Sequence, residues 1–495
     1  MTNLIERLNK AIDHEYDWKN QEVAEALKTP IADRVKKGDT IENAYAEFIP
    51  DYSYDGTIVF TKVKIKCDNN RSKFRETSPV VLSGYGESFK LEVLEDNDSE
   101  MILEVGFMNE SIHQSLNKKN GWQIDEAAVD IRDIVKKSTF ILRTNPDKYN
   151  LINGIFEGKI LPDISLFELK KGNNLASKTN LNTTQKEAFA KAYATKNYFL
   201  IQGPPGTGKT WLLAHLAYQF AIEGKKVLIT APTHTAINNA LQKCSTLSQY
   251  QHIIKVGKSN QKEGLNYDGS TAKNTPDFRN TGYSNDSRGI IVGATCYSPH
   301  TRKLEFMDWD VIIIDEAGQL SIPLAIAAMV KGSKFILIGD HKQLPPIIAE
   351  NHSDVVFQNS IFEHLHQFNP GIMLDITYRM NKWINDFPSR QFYNGKLIPD
   401  KKNEEWLLTI PNKFTKYAEI LDPAKPEVLF CHFHESNESI SEFEADIIAE
   451  FIVQYLNQGV KPDDMAILTP FRAQVRQIKK ALMKILNYKA FEDKL

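Results

Sequence analysis

Residues 203–210 read GPPGTGKT, a G-x-x-x-x-G-K-[ST] pattern with Gly203, Gly208, Lys209 and Thr210 in register. A glycine loop of this spacing lets the backbone curl so that its N–H groups face phosphate oxygens, with Gly203, Gly206 and Gly208 supplying the freedom. The N-terminus of the following helix adds partial positive charge. Lys209 is the residue type to reach β- and γ-phosphates, and Thr210 can place a hydroxyl on Mg²⁺. Two further stretches carry complementary chemistry. In VIIIDEAGQ (311–319), Asp315 and Glu316 end an apolar run, so that one can orient a metal ion while the other accepts a proton from attacking water. In KFILIGDHKQLPP (334–346), Gln343 follows a similar run and is suited to sensing a γ-phosphate, with Asp340 holding its loop. Arg379, in DITYRM, is a candidate for the cation that phosphoryl transfer gains from at the transition state, delivered from a second domain when a cleft closes.

These groups need a scaffold of strands that end at one edge. Tyr198–Ile201 before the loop reads as a buried strand, and Trp211, Leu212, Leu213, Leu216, Ala217 and Phe220 after it recur at helical spacing. Runs at 226–230, 289–295, 311–314 and 334–339 each hold three or four successive apolar residues, as suits strands of a parallel sheet covered on both faces. Asn182 or Thr183 caps a helix reaching about Ala194. Residues 257–289 are rich in Gly, Asn, Ser, Asp and Lys and read as a flexible insertion.

Upstream, 1–29 is a helix stopped by Pro30, and residues 41–110 switch to short alternating runs (57–65, 78–84, 88–95, 101–107). They predict a small β-barrel, either a nucleic-acid-binding module or a structural insert. Residues 111–175 read as helical, and the polar stretch 170–180 reads as a linker. Downstream, GIMLDITYRM (371–380) opens a second α/β unit, with strands at 427–433 and 465–471 and helices at 442–457 and 475–486. The expected fold is thus α/β: a P-loop parallel-sheet domain at 181–370, an incomplete second α/β domain at 371–495, a helical segment at 1–40, a barrel at 41–110 and a helical stalk at 111–180.

Composition bounds the partners. Apolar residues make up 42% of the 495-residue chain and charged residues 25%, as in a globular protein. No run of 18 apolar residues predicts a membrane span, and the acidic N-terminus does not read as a secretory signal. The four cysteines are scattered, which fits a reducing, intracellular setting rather than a zinc site. A net charge of −3 excludes a uniformly basic nucleic-acid binder but leaves room for a local track.

Taken together the motifs resemble the superfamily 1B helicases of the nonsense-mediated-decay helicase type, a family with RNA and DNA members. The likeness runs over most of the chain: LNTTQKEAF, GPPGTGKT, DEAGQ, GDHKQLPP, LDITYRMNKWINDFPSRQFYNGKL and AILTPFRAQ occur in family order, and SKFRETSPVVLSG (72–84) is similar to the opening of the family's accessory barrel. The resemblance implies RecA-like motor domains at 181–370 and, incomplete, at 371–495. It implies too that Gln185 contacts the adenine base, Tyr378 packs on the ring and Arg379 senses the γ-phosphate. It implies single-strand backbone contacts from Thr233, His234, Thr295, Thr469, Pro470 and Arg472, and coupling of phosphate state to strand grip through Gln343. Two positions depart from the family: Thr377 stands where glutamine is common, and Ser441 where asparagine is. The family's last two motifs are not found, so a truncated motor that binds nucleotide but turns over and unwinds weakly is expected.

ATP with Mg²⁺ and a single strand of DNA or RNA are the implied ligands, with 5′ to 3′ movement and a slight preference for DNA. A monomer is expected. A nucleotide-dependent switch or scaffold is the first alternative. A helicase half of a helicase–nuclease, its nuclease lying beyond Leu495, is the second.

Overall fold

The computed structural model describes residues 3–52, 58–67, 70–97, 99–108, 117, 119–248, 250–258, 265, 271–434 and 438–486. Helices α1 (Leu4–Lys28) and α2 (Ile31–Lys37) precede strands β1 (Thr40–Tyr52), β2 (Ile58–Lys66), β3 (Pro79–Gly84), β4 (Glu87–Asn97), β5 (Glu100–Met108) and β6 (Lys119–Glu126). Four helices follow: α3 (Arg132–Thr144), α4 (Pro146–Phe156), α5 (Leu166–Ser177) and α6 (Thr183–Ala194). Then come β7 (Tyr198–Gln202), α7 (Lys209–Ile222), β8 (Lys226–Thr230), α8 (His234–Ser248), β9 (Ile253–Val256), β10 (Lys273–Thr275), β11 (Ile290–Gly293), β12 (Trp309–Ile314), α9 (Ile322–Met329), β13 (Gly332–Gly339) and α10 (Ile361–His366). The chain continues through β14 (Ile372–Met373), β15 (Ile376–Thr377), α11 (Lys382–Phe392), β16 (Ile398–Pro399), α12 (Glu442–Asn457) and α13 (Arg472–Leu486). Two compact units result, Met1–Trp18 with Asp130–Trp406, and Lys19–Val129 with Leu407–Leu495.

The first unit is a RecA-like parallel sheet of eight strands in the order β10-β9-β11-β8-β12-β13-β7-β14. Alternate residues of each central strand feed opposite layers. Tyr198, Leu200, Leu228, Ile312 and Leu337 join one apolar core, while Phe199, Ile201, Ile229, Ile313 and Ile336 join the other. Both faces are buried, which is why these strands are apolar without alternation. Each such side chain contributes about 1.5–3 kcal/mol on burial. Leu4, Ile5, Leu8 and Ala11 of α1 pack into the first core with Leu142, Ile152 and Phe156. The parallel sheet expected from the apolar runs is therefore present.

Residues 371–406 differ from expectation, for they belong to this same unit rather than opening a second one. The short β14 pairs parallel with β7, Ile372 opposite Ile201 and Met373 opposite Gln202, extending the first sheet by one strand. Backbone pairing with the P-loop strand overrides the shift in pattern that the sequence suggests there.

In the second unit, β1-β2-β5-β4-β3-β6 form a closed antiparallel barrel. Two of its strands are not legible in the sequence. β1 carries small inward residues, Ala44 and Ala46, and its pairing with β6 slips in register twice between Ile41 and Ala46, which blurs the alternation. β6 lies in a stretch read as helical, yet Trp122 and Ile124 point inward, fully buried. Trp122 fills the barrel, with Phe48, Tyr85 and Phe89 rings 5.5–6.3 Å from it. Trp122→Ala is expected to destabilise the second unit by about 3–5 kcal/mol, lost burial plus residual cavity. A urea melt followed by circular dichroism checks this; an unchanged midpoint would show that the barrel collapses around the gap.

Three further expectations are corrected. The polar stretch 170–180 is largely helix, because Ser165 caps α5 and the helix runs to Ser177. Segments 427–433 and 465–471 form no strand among the described residues. Alternation needs a backbone partner to become a strand, and here Leu429, Phe433 and Leu468 stay exposed. Helices α12 and α13 pack on each other through Ala445, Ala449, Ile478, Ala481 and Leu482. Of the insertion at 257–289, residues 259–264 and 266–270 lie outside the described residues; its remainder includes β10 and a 3₁₀ turn at Phe278–Thr281.

Candidate nucleotide site and strand-contact residues

The glycine loop joins β7 to α7 and is tied to the neighbouring strand, Gly203 N–H donating to the Gly339 carbonyl at 2.9 Å. Gly206 is left-handed (φ 75°), and a Cβ on it would stand 2.4 Å from the Arg379 Cβ and 2.7 Å from the Thr377 hydroxyl. Gly208 caps α7, so the first amides of that helix have no carbonyl one turn back and are available to an anion. Lys209 Nζ lies 3.7 Å from Glu316 Oε1.

Asp315 and Glu316 leave β12, which is separated from β7 by β13 alone. Asp315 is buried and its N–H donates to the Thr230 carbonyl at 2.8 Å. Burial, then the adjacent Glu316 carboxylate, push the Asp315 carboxyl up to about 7, with Lys209 pulling it back. Its Oδ1 accepts from the Glu316 N–H at 3.0 Å. A buried carboxyl so destabilised as an anion fits a site that receives a cation, with half-buried Thr210 on the neighbouring loop. Glu316 is held at φ 50°, a left-handed conformation uncommon outside glycine.

Gln343 reaches Asp340 rather than open space, its Nε2 donating to Oδ2 at 2.9 Å. Asp340, expected to hold this loop, also accepts from Gln202 Nε2 at 3.0 Å, Lys342 N–H at 3.1 Å and Tyr393 Oη at 2.7 Å. Sequence reasoning does not single out Gln202 or Tyr393. Tyr393 is separated from Asp340 by 53 positions, and no spacing rule links them.

The arginine segment lies on the loop itself. Thr377 donates to the Pro205 carbonyl at 2.9 Å, and Tyr378 N–H to the Gly206 carbonyl at 2.8 Å. Arg379 is exposed beside Gly206. Its expected delivery from a second domain is thus corrected: the segment is hydrogen-bonded to the P-loop within one unit. Thr377, where relatives of the resembled family commonly carry glutamine, is fully buried and serves this clasp. The Tyr378 hydroxyl accepts from Asn182 Nδ2 at 2.8 Å. Gln185 completes a capping box with Asn182 and donates from Nε2 to the Thr207 carbonyl at 2.9 Å. Both ends of its amide are engaged in holding the loop.

The strand-contact candidates fall in both units. In the first, Thr233 is exposed and caps α8, accepting from Ala236 N–H at 3.2 Å. His234 Nδ1 accepts from Lys255 Nζ at 2.6 Å. Burial, then Lys255, push the imidazole down to about 4, and burial pushes Lys255 down to about 8. Thr295 bonds the Ser298 hydroxyl at 2.6 Å. In the second unit, Thr469 and Pro470 precede α13, and Thr469 Oγ1 accepts from Phe471 N–H at 3.4 Å. Arg472 is not free: it pairs at 2.6 Å with the buried Asp96 carboxylate of β4, which Arg476 shares at 3.0 Å.

Two family models match the chain, each described as an AAA domain, one over residues 180–367 and one over 357–491. The DNA replication ATP-dependent helicase/nuclease DNA2 of Saccharomyces cerevisiae is 30% identical over 343 residues, covering 63% of this chain and 22% of that protein. These matches are consistent with a superfamily 1 helicase. The chain is also 26% identical over 375 residues to the DNA replication ATP-dependent helicase/nuclease JHS1 of Arabidopsis thaliana, covering 71% of the chain and 28% of the relative. The DNA polymerase alpha-associated DNA helicase A of Schizosaccharomyces pombe is 25% identical over 406 residues, covering 69% of the chain and 60% of the relative. The chain therefore spans about a quarter of the two helicase/nucleases. No helix among the described residues is long and apolar enough to cross a membrane.

Proposed function

We propose that this chain is an ATP-driven superfamily 1B motor that moves 5′ to 3′ on single-stranded nucleic acid, with DNA favoured over RNA. The observation that carries this is the convergence of Lys209, Asp315, Glu316 and Arg379 on one glycine loop within one unit. Lys209 and the first α7 amides hold the phosphates, Glu316 orients the attacking water and receives its proton, and Arg379 offsets charge on the transferred phosphoryl group. Thr210 and Asp315 would hold Mg²⁺, whose charge would offset that of the phosphates. Tyr378 and the Asn182–Gln185 turn form the base end of the pocket. Thr233, His234 and Thr295 lie at the ends of β8 and β11, neighbours in the sheet, which suits tracking a backbone without reading bases. The relatives named for DNA replication support DNA as the polymer. Their helicase/nuclease names also support the reading in which this motor serves as the helicase half of such a protein.

The test is ATP hydrolysis with and without single-stranded DNA or RNA. Stimulation by a strand is expected, greater for DNA. Glu316→Gln should keep nucleotide binding while single-turnover hydrolysis falls about 10²–10⁴-fold, the size of a general-base contribution. Strand-independent hydrolysis would instead favour a nucleotide-dependent switch, and full activity in this variant would remove Glu316 from the role of base.

A further inference from the structure

We infer that Tyr393 is a positioning residue for γ-phosphate sensing, acting through Asp340 on Gln343; this rests on the ATP site proposed above. Four observations converge. Asp340 is 2% exposed, and its Oδ2 receives two donors, Gln343 Nε2 at 2.9 Å and the Tyr393 hydroxyl at 2.7 Å. Its Oδ1 is fixed from the P-loop strand by Gln202 Nε2 at 3.0 Å. Tyr393 is itself buried, so no water competes for the contact.

The tyrosine also stands at the far end of the element that follows Arg379. Helix α11 starts at Lys382, shortly after Arg379, capped by Asn381, and Tyr393 closes it. The chain then returns, and β16 pairs with β15, Ile398 opposite Ile376, immediately before Tyr378 and Arg379. Asn385 and Ser389 pin that return by donating to the Leu397 carbonyl, each at 2.7 Å. The arginine segment, the glutamine loop and the P-loop strand are thus joined by one buried carboxylate.

The chemistry sets the direction. A buried carboxylate shared by two donors grips each less tightly than one serving a single donor, because each donor satisfies part of its charge. While Tyr393 shares Oδ2, the Gln343 amide can leave Asp340 for a γ-phosphate oxygen. Without the hydroxyl, Asp340 keeps Gln343, and a nucleotide with a γ-phosphate loses its advantage over one without.

The experiment uses the 495-residue chain and fluorescent ADP and a non-hydrolysable ATP analogue. In Tyr393→Phe the ratio of the two dissociation constants should shift about five- to tenfold towards ADP, the net scale of one ordinary hydrogen bond. ADP affinity should stay within about twofold, since the ADP contacts are untouched. Gln343→Ala should shift the ratio similarly, and the double variant should shift it no further. An unchanged ratio in Tyr393→Phe, an additive double variant, or loss of ADP binding would each overturn the role. Failure of the ATP-site proposal is separately visible, as ADP binding indifferent to Lys209→Ala.

Discussion

Lys209→Ala should weaken nucleotide binding about 10–100-fold and lower single-turnover hydrolysis by a further factor of about 10²–10³. The first figure reflects the loss of a charged donor to phosphate, and the second its absence where charge develops. The structure adds a second loss. Lys209 is the cation beside Glu316, 3.7 Å away, and it offsets the burial that drives up the Asp315 carboxyl. Removing the ammonium leaves two adjacent acids facing the phosphates with no fixed positive side chain between. Titration with a fluorescent nucleotide and a single-turnover assay check both figures. Wild-type behaviour in both would place the phosphates elsewhere.

Gly206→Ala is expected to be nearly as damaging, for a different reason. The left-handed backbone at φ 75° costs a side chain about 1–2 kcal/mol. The new methyl would also stand 2.4 Å from the Arg379 Cβ and 2.7 Å from the Thr377 hydroxyl. Either the loop or the arginine segment must shift, breaking the Thr377–Pro205 and Tyr378–Gly206 bonds that hold them together. Hydrolysis should fall about 100-fold, since small misplacements of a positioned group have costs of that order. Gly224→Ala is the control: its φ is 80°, but a Cβ there meets nothing within 4 Å. It should lower the melting temperature by a few degrees, about 2–4 °C per kcal/mol, and leave hydrolysis alone. Equal kinetic effects in the two variants would assign the damage to backbone strain instead of the Arg379 contact.

An Arg379 delivered from a second domain, as the sequence suggests, would tolerate such a methyl. The fully buried Thr377 explains why it does not. A residue that departs from the resembled family's pattern turns out to make the bond that fixes the arginine segment to the loop.

By itself the chain's order of residues determined the core of the first unit. Continuous apolar runs define buried parallel strands because both faces of such a sheet are covered, and a glycine loop between a strand and a helix defines a phosphate cradle because only that backbone aims its amides inward. Adjacent acids at Asp315 and Glu316, and Gln343 after β13, follow from the same local logic. Only the tertiary structure decided the rest. It drew 371–406 into the first unit through the pairing of β14 with β7, closed the barrel with β1 and β6, and engaged Gln185 and Arg472 with Thr207 and Asp96. It also brought Tyr393 to Asp340. Periodicity reports which face of an element is buried, whereas the partner of a polar group is set by the path of the chain between them, and that path is fixed by packing over the whole unit.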